Sequence, residues 1–143
     1  MKYSFQPART IAIVSLRTKP AEMAHWMTGK PKILIVEDNS DVRRLYAIGL
    51  NQRGYEVKLA ANGAEAVERI AHEKPDVILL DWVMPLMSGG EVLNRLSSEV
   101  PIIVISGHQP PGESLDPRIR RWLTKPVSID DLVVEIERPL AVG

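Results

Sequence analysis

Five polar residues stand where apolar runs stop. Glu37 and Asp38 follow the run at 32–36, and Asp81 ends the run at 77–81. Ser106 ends the run at 101–106, and Lys125 follows the short stretch 121–124. Singly, each has a plain use. An acid after a strand caps the next helix, a serine turns the chain, and a lysine sits in a solvated loop. As a set they are harder to explain that way. Three carboxylates brought to one edge repel each other. At about 5 Å and an effective dielectric near 20, each pair costs roughly 3 kcal/mol. A purely structural role needs no such arrangement. A hard divalent cation removes the cost, and oxygen ligands with an incomplete shell suit Mg²⁺.

The elements that must position these residues follow from periodicity. The run KILIV at 32–36 is continuous and apolar, which suits a strand buried on both faces of a parallel sheet. Val42, Leu45, Tyr46 and Leu50 then recur at helical spacing, and Gly54 stops that helix. Residues 55–59 alternate and read as a less buried strand. Gly63, Val67, Ile70 and Ala71 mark a second helix, ended before Pro75. Residues 77–81 and 101–106 read as two further strands, with a third helix through Gly89, Val92, Leu93 and Leu96 between them. Residues 121–124 form a short fifth strand. Ser128 and Asp131 resemble a capping box that opens a last helix through Ile129, Leu132, Val133 and Ile136, closed by Pro139. Strand–helix alternation of this kind predicts an α/β sandwich with a parallel sheet and helices on both faces. In such sheets a ligand site lies beyond the C-terminal strand ends, where the strand order switches. The fold should therefore gather the five polar residues.

Composition narrows the classes. The chain has 143 residues with 45% apolar and 25% charged, an ordinary globular balance. No apolar run approaches the roughly 18–20 residues that span a bilayer. There is no cysteine, which excludes disulfide scaffolds, thiolate zinc sites and cysteine nucleophiles; three scattered histidines argue against a histidine-built metal site. Net charge is zero, but residues 1–31 carry +4 and residues 32–143 carry −4. A mildly acidic body does not recommend a nucleic-acid binder. Residues 1–30 read as a poorly specified basic extension, and 31–143 as one domain. The apolar stretch 11–16 is too short for a signal-peptide core, so a cytoplasmic protein is expected.

These residues carry a resemblance. Residues 32–138 resemble the receiver domain of two-component response regulators. The matching pieces are Glu37-Asp38, Asp81, Met84-Pro85 with Gly89 downstream, Ser106, and Lys125-Pro126. The resemblance implies a flavodoxin-like three-layer sandwich with a five-stranded parallel sheet in the order 2-1-3-4-5. It also implies a phosphoacceptor in a two-component or phosphorelay system. Asp81 would take a phosphoryl group from a phosphohistidine on a sensor histidine kinase or histidine phosphotransferase. Asp38, Asp81 and the backbone carbonyl of Val83 would bind Mg²⁺, or Mn²⁺ in its place, with Glu37 acting through water. Lys125 and Ser106 would hold phosphoryl oxygens. Ser106 and Trp122 would form the switch, Pro126 would follow a cis peptide bond, and Val83 and His108 would tune the phosphoryl lifetime.

The sequence departs from that family between Ser106 and Trp122. Three prolines and two glycines within residues 107–118 oppose helix formation, since an internal proline costs around 3 kcal/mol. The fourth helix of the fold is therefore expected to be shortened or missing, with at most a turn from Asp116. Arg118, Arg120 and Arg121 would add positive charge to that output face. Four residues remain after Pro139, so a stand-alone receiver is expected. It would dock an unknown downstream protein target or form a phosphorylation-linked dimer, with no direct nucleic-acid or membrane contact. It is expected to modify itself rather than turn over an external substrate. Two other readings stand beside it. One is a metal-dependent phosphohydrolase with an aspartyl nucleophile, disfavoured because Val83 occupies the place of its general acid. The other is an interaction-only receiver with a vestigial pocket.

Overall fold

The computed structural model describes residues 30–112 and 115–138. The basic extension expected at 1–30 lies outside them except for Lys30, as does Pro139. Among the described residues five strands and four helices follow one another, alternating except between β4 and β5: β1 (Lys32–Val36), α1 (Ser40–Gln52), β2 (Glu56–Ala60), α2 (Gly63–Glu73), β3 (Val77–Asp81), α3 (Gly89–Arg95), β4 (Ile102–Ser106), β5 (Ile119–Thr124) and α4 (Ile129–Glu137). All pairings are parallel and the order is β2-β1-β3-β4-β5.

The apolar runs form the strands because both sheet faces are covered. Side chains alternate between the two faces along a strand. Ile33, Ile35, Leu79, Ile103 and Ile105 pack under Tyr46 and Leu50 of α1 and Leu132 and Ile136 of α4. Leu34, Val36, Ile78, Leu80, Ile102 and Val104 pack under Ala66 and Ile70 of α2 and Val92 and Leu93 of α3. β3 and β4 are buried along their whole length, whereas β2, at the edge, is half-covered. The helices start where the sequence supplies caps. The Asn39 side chain accepts from two amides of α1, and Asn62 accepts from Glu65 N. Ser88 and Glu91 make a full reciprocal capping box on α3, whose S-x-x-E spacing carries the signal although the sequence reading did not name it. At α4 only the forward half forms: Ser128 accepts from Asp131 N.

Between β4 and β5 the described residues contain no helix. Pro117 and Arg118 make a turn, and β5 starts at Ile119, two residues earlier than its apolar pattern suggests. The register of β5 slips between Ile102 and Ile103, whose partners are Ile119 and Arg121. Arg120 is thus the extra residue of a bulge. Strict alternation would put Ile119 and Trp122 on opposite faces. The bulge puts both against the α2–α3 side, and Leu123 against the α1–α4 side. Trp122 then meets Trp82, with ring centroids 5.1 Å apart and planes tilted by 56°. The indole pair lies on the α2–α3 face of the sheet, beside the β4–β5 connection.

Arg118 is not the surface cation expected from the sequence. Its side chain is only 13% exposed. The guanidinium donates to the carbonyls of Leu93, Leu96 and Ser98, each at 2.9 Å, and to both carboxylate oxygens of Asp116. It ties the C-terminal end of α3 to the chain that follows, sharing the Leu93 carbonyl with the Leu96 amide and taking the Leu96 and Ser98 carbonyls beyond the helix. Arg121 is likewise tied to Glu135 of α4 at 3.1 Å.

Candidate functional site

The C-terminal ends of β1, β3, β4 and β5 meet at one edge, and the expected polar residues meet there with them. A carboxylate oxygen from each of Glu37, Asp38 and Asp81 lies within 4.8 Å of the others. Glu37 and Asp81 are 2% and 5% exposed, whereas Asp38 is exposed. Lys125 Nζ sits 3.1 Å from Glu37 Oε1 and 3.6 Å from Asp81 Oδ2. The cup is therefore two buried acids, one exposed acid at the rim, and one ammonium reaching in from beyond β5.

Backbone geometry fixes each member. Glu37 N donates to Ala60 O at 3.1 Å, which continues the β1–β2 ladder by one residue. Asn39 N donates to Glu37 Oε2 at 3.2 Å. Arg43, one turn into α1, donates to the carbonyls of Glu37 and Asp38 at 2.8 and 3.3 Å. Arg43 is a positioning residue that the sequence reading missed. Its targets are backbone oxygens, which leave no side-chain signature. Val83 N donates to Asp81 Oδ1 at 3.3 Å, and Gly89 N closes the intervening loop onto Trp82 O at 2.8 Å. A Cβ on Gly89 would lie 2.7 Å from the Trp82 ring, so glycine permits this closure. The Lys125–Pro126 peptide is cis, as expected.

Ser106 is fully buried, and its Oγ accepts from His108 N at 3.1 Å. The hydroxyl proton is left to donate elsewhere. His108 is exposed, and its carbonyl accepts from Trp122 Nε1 at 2.9 Å. The indole N–H thus has the partner a half-buried tryptophan needs. One chain of contacts runs from the hydroxyl beside the cup to the indole pair.

Electrostatics follow from the crowding. Burial, then the Glu37 charge and its hydrogen bond, push the Asp81 carboxyl up to about 7, against the pull of Lys125. Burial works against the Lys125 charge, but Glu37 and Asp81 outweigh it and raise its pKa. Two buried carboxylates with one ammonium leave a net negative cup. The three acids fit a divalent cation held by oxygen: they are close, converge from two strand ends, and carry an unbalanced charge.

An open parallel sheet with this acidic cup at the switch in strand order defines a doubly wound α/β sandwich with a ligand site beyond its strand ends. Comparison with known proteins gives the particular family. Residues 33–137 match the family described as the response regulator receiver domain, and the chain belongs to it. The response regulator MprA of Mycobacterium leprae is 35% identical over 111 residues, covering 73% of this chain and 49% of the relative. The chain thus spans about half the length of the curated relatives it matches. The chemotaxis response regulator CheY4 of Vibrio cholerae superposes with a TM-score of 0.67 at 29% identity, covering 76% of this chain and 97% of that one. The receiver domain of the Francisella response regulator 1452 gives a TM-score of 0.64 at 26% identity, covering 75% and 93%. No helix among the described residues is long and apolar enough to cross a membrane.

Proposed function

We propose that this chain accepts a phosphoryl group on Asp81 from a phosphohistidine and passes the change to its β4–β5 side. The observation that carries this is the cup itself: three carboxylates within 4.8 Å of one another, with Lys125 3.6 Å from Asp81. Asp38, Asp81 and the Val83 carbonyl would hold Mg²⁺, or Mn²⁺, with Glu37 acting through water. The bound cation would neutralise charge on the phosphoryl oxygens.

The chain's own groups do the rest. Asp81 presents one carboxylate oxygen in line with the phosphorus. A P–O bond forms, the P–N bond breaks, and the imidazole nitrogen keeps the bonding pair and takes a proton. Transfer of this kind needs positioning and charge balance more than covalent help. Val83 N fixes Asp81 Oδ1, so the attacking group is held before the donor arrives. Lys125 pairs with a phosphoryl oxygen once its carboxylate partner is esterified. Ser106 donates its free hydroxyl proton to another. The shift of Ser106 is passed through His108 to Trp122. Val83 and His108 flank the phosphoryl group and set how water reaches it. The donor would be a sensor histidine kinase or histidine phosphotransferase, and the receiver of the signal a protein that reads the β4–β5 side. Val83 offers no acid or base two residues past Asp81, which speaks against turnover of external phosphate esters.

Incubation with phosphoramidate and Mg²⁺ is expected to add one phosphoryl group, stable in acid and labile in alkali, and Asp81→Asn is expected to abolish it. Intact-protein mass spectrometry reads the result directly. Stoichiometric labelling that persists in Asp81→Asn would remove the assignment.

A further inference from the structure

The loop after Asp81 holds a residue that the phosphoryl chemistry does not use. Leu86 is 99% exposed, more than any other large apolar residue described. Its φ is +70°, in the left-handed region that branched side chains rarely adopt. Met87 N donates to Pro85 O at 2.7 Å, closing a three-residue turn with Leu86 at its centre. The other described non-glycine residue with positive φ is Lys74. It caps the end of α2, where that backbone is ordinary. Leu86 has no such reason.

The turn is not a frayed tip. Met84, two residues before, is buried in the core. Met87 lies so close over Gly63 that a Cβ there would stand 2.5 Å from Met87 Sδ. The ends of the loop are tied by the Gly89–Trp82 bond at 2.8 Å. Met84 and Met87 point inward and are anchored, and Leu86 between them is held out. A lone exposed leucine needs no explanation. One held on a disfavoured backbone from an anchored base does. Val83, in the same loop, is 57% exposed and binds Asp81 Oδ1 through its N–H. The loop therefore presents three exposed apolar residues, Val83, Pro85 and Leu86, beside a carboxylate that is itself only 5% exposed.

We propose that Leu86 is a specificity-determining contact for the phosphodonor protein. The partner is a protein with a phosphorylated histidine set in apolar surface, and the leucine packs against that surface. This rests on the phosphoacceptor reading above. The geometry favours this occupant because a histidine reaching a nearly buried Asp81 must bring its own protein surface down over the loop that follows Asp81. A small phosphodonor has no such surface.

The test separates the two kinds of donor. Leu86→Asn and Leu86→Gly suit the left-handed backbone, and Leu86→Met keeps the apolar contact. Each variant of the 143-residue chain is labelled with phosphoramidate and Mg²⁺. Each is also labelled by the purified, autophosphorylated histidine kinases of the cell that makes this chain, and by the histidine phosphotransferases those kinases charge. Phosphoramidate labelling is expected to match wild type, with Tm of the Asn and Gly variants equal to or above it. Initial transfer from the donor that labels wild type is expected to fall roughly fivefold or more in both. Leu86→Met is expected to stay within about twofold. Equal transfer to wild type and Leu86→Asn overturns the proposal. So does a wild-type chain that phosphoramidate charges but no protein of the panel charges. Wild type that phosphoramidate fails to label instead removes the phosphoacceptor reading, and the proposal with it.

Discussion

Asp81 is held ready at a cost to the fold. An aspartate in the unfolded chain titrates near 3.9, whereas burial and Glu37 bring the folded value to about 7. The folded state therefore binds this proton more tightly. Stability is greatest below about pH 4 on this account and falls as pH rises toward 7. In the absence of divalent cations, Asp81→Asn removes that penalty. The variant is expected to be more stable than wild type at pH 8 by on the order of 2–4 kcal/mol, and little different at pH 4. Mg²⁺ is expected to narrow the gap by stabilising wild type and not the variant. Thermal unfolding in chelator across that pH range checks it; parallel curves would show that Asp81 carries no such strain. Asp38, Asp81 and Lys125 were legible in the sequence because a parallel sheet sends every strand end to one edge. Arg43 was not, because its role is spent on the carbonyls of Glu37 and Asp38.

At the scale of elements, the connection from β4 to β5 is where sequence and fold part company. Prolines and glycines told correctly that the fourth helix is shortened or missing: the described residues there form none. They could not tell what replaces it. The replacement uses a bulge at Arg120, an indole pair, and Arg118 bonded to carbonyls of residues more than twenty positions earlier. None of these has a local pattern, because a guanidinium can serve any cluster of carbonyls and a bulge is invisible to hydropathy. Arg118 fits its place through a planar fork that reaches three carbonyls and a carboxylate at once. Lysine cannot do so, and Arg118→Lys is expected to cost about 2 kcal/mol in urea unfolding at pH 7. Arg118 also holds the Asp116 carboxyl below its ordinary value, chiefly by hydrogen bonding. The folded value is depressed, so this stabilisation is present above the unfolded pKa and lost as pH falls through the folded one. Asp116→Asn is expected to flatten that acid limb. An unchanged limb would place the clamp's worth in packing.

The whole molecule closes its two sheet faces by different means. Polar pairs cross the α1–α4 face: Arg53 with Asp130, Tyr55 Oη donating to Glu137 at 2.7 Å, Lys30 with Glu137 at 3.1 Å, and Arg121 with Glu135. On the other face, cover passes from α2 and α3 to the indoles and the β4–β5 connection. β5 shows the difference: none of its residues is fully buried, while every residue of β3 is. As an edge strand with little cover, β5 should open at a lower free energy than the centre. The acids of the cup belong to β1 and β3, and β5 contributes only the lysine beyond its end. A divalent cation at 100 times its Kd adds about 2.7 kcal/mol to global unfolding. Openings that free β5 but leave the carboxylates in place gain none of it. Native-state hydrogen exchange with and without saturating Mg²⁺ is therefore expected to slow the amides of Ile35 and Leu79 about 100-fold and those of Arg121 and Leu123 far less. Uniform slowing across all three strands would mean that β5 cannot open without emptying the cup. The β4–β5 side would then be one cooperative unit with the cup rather than a separately opening flank.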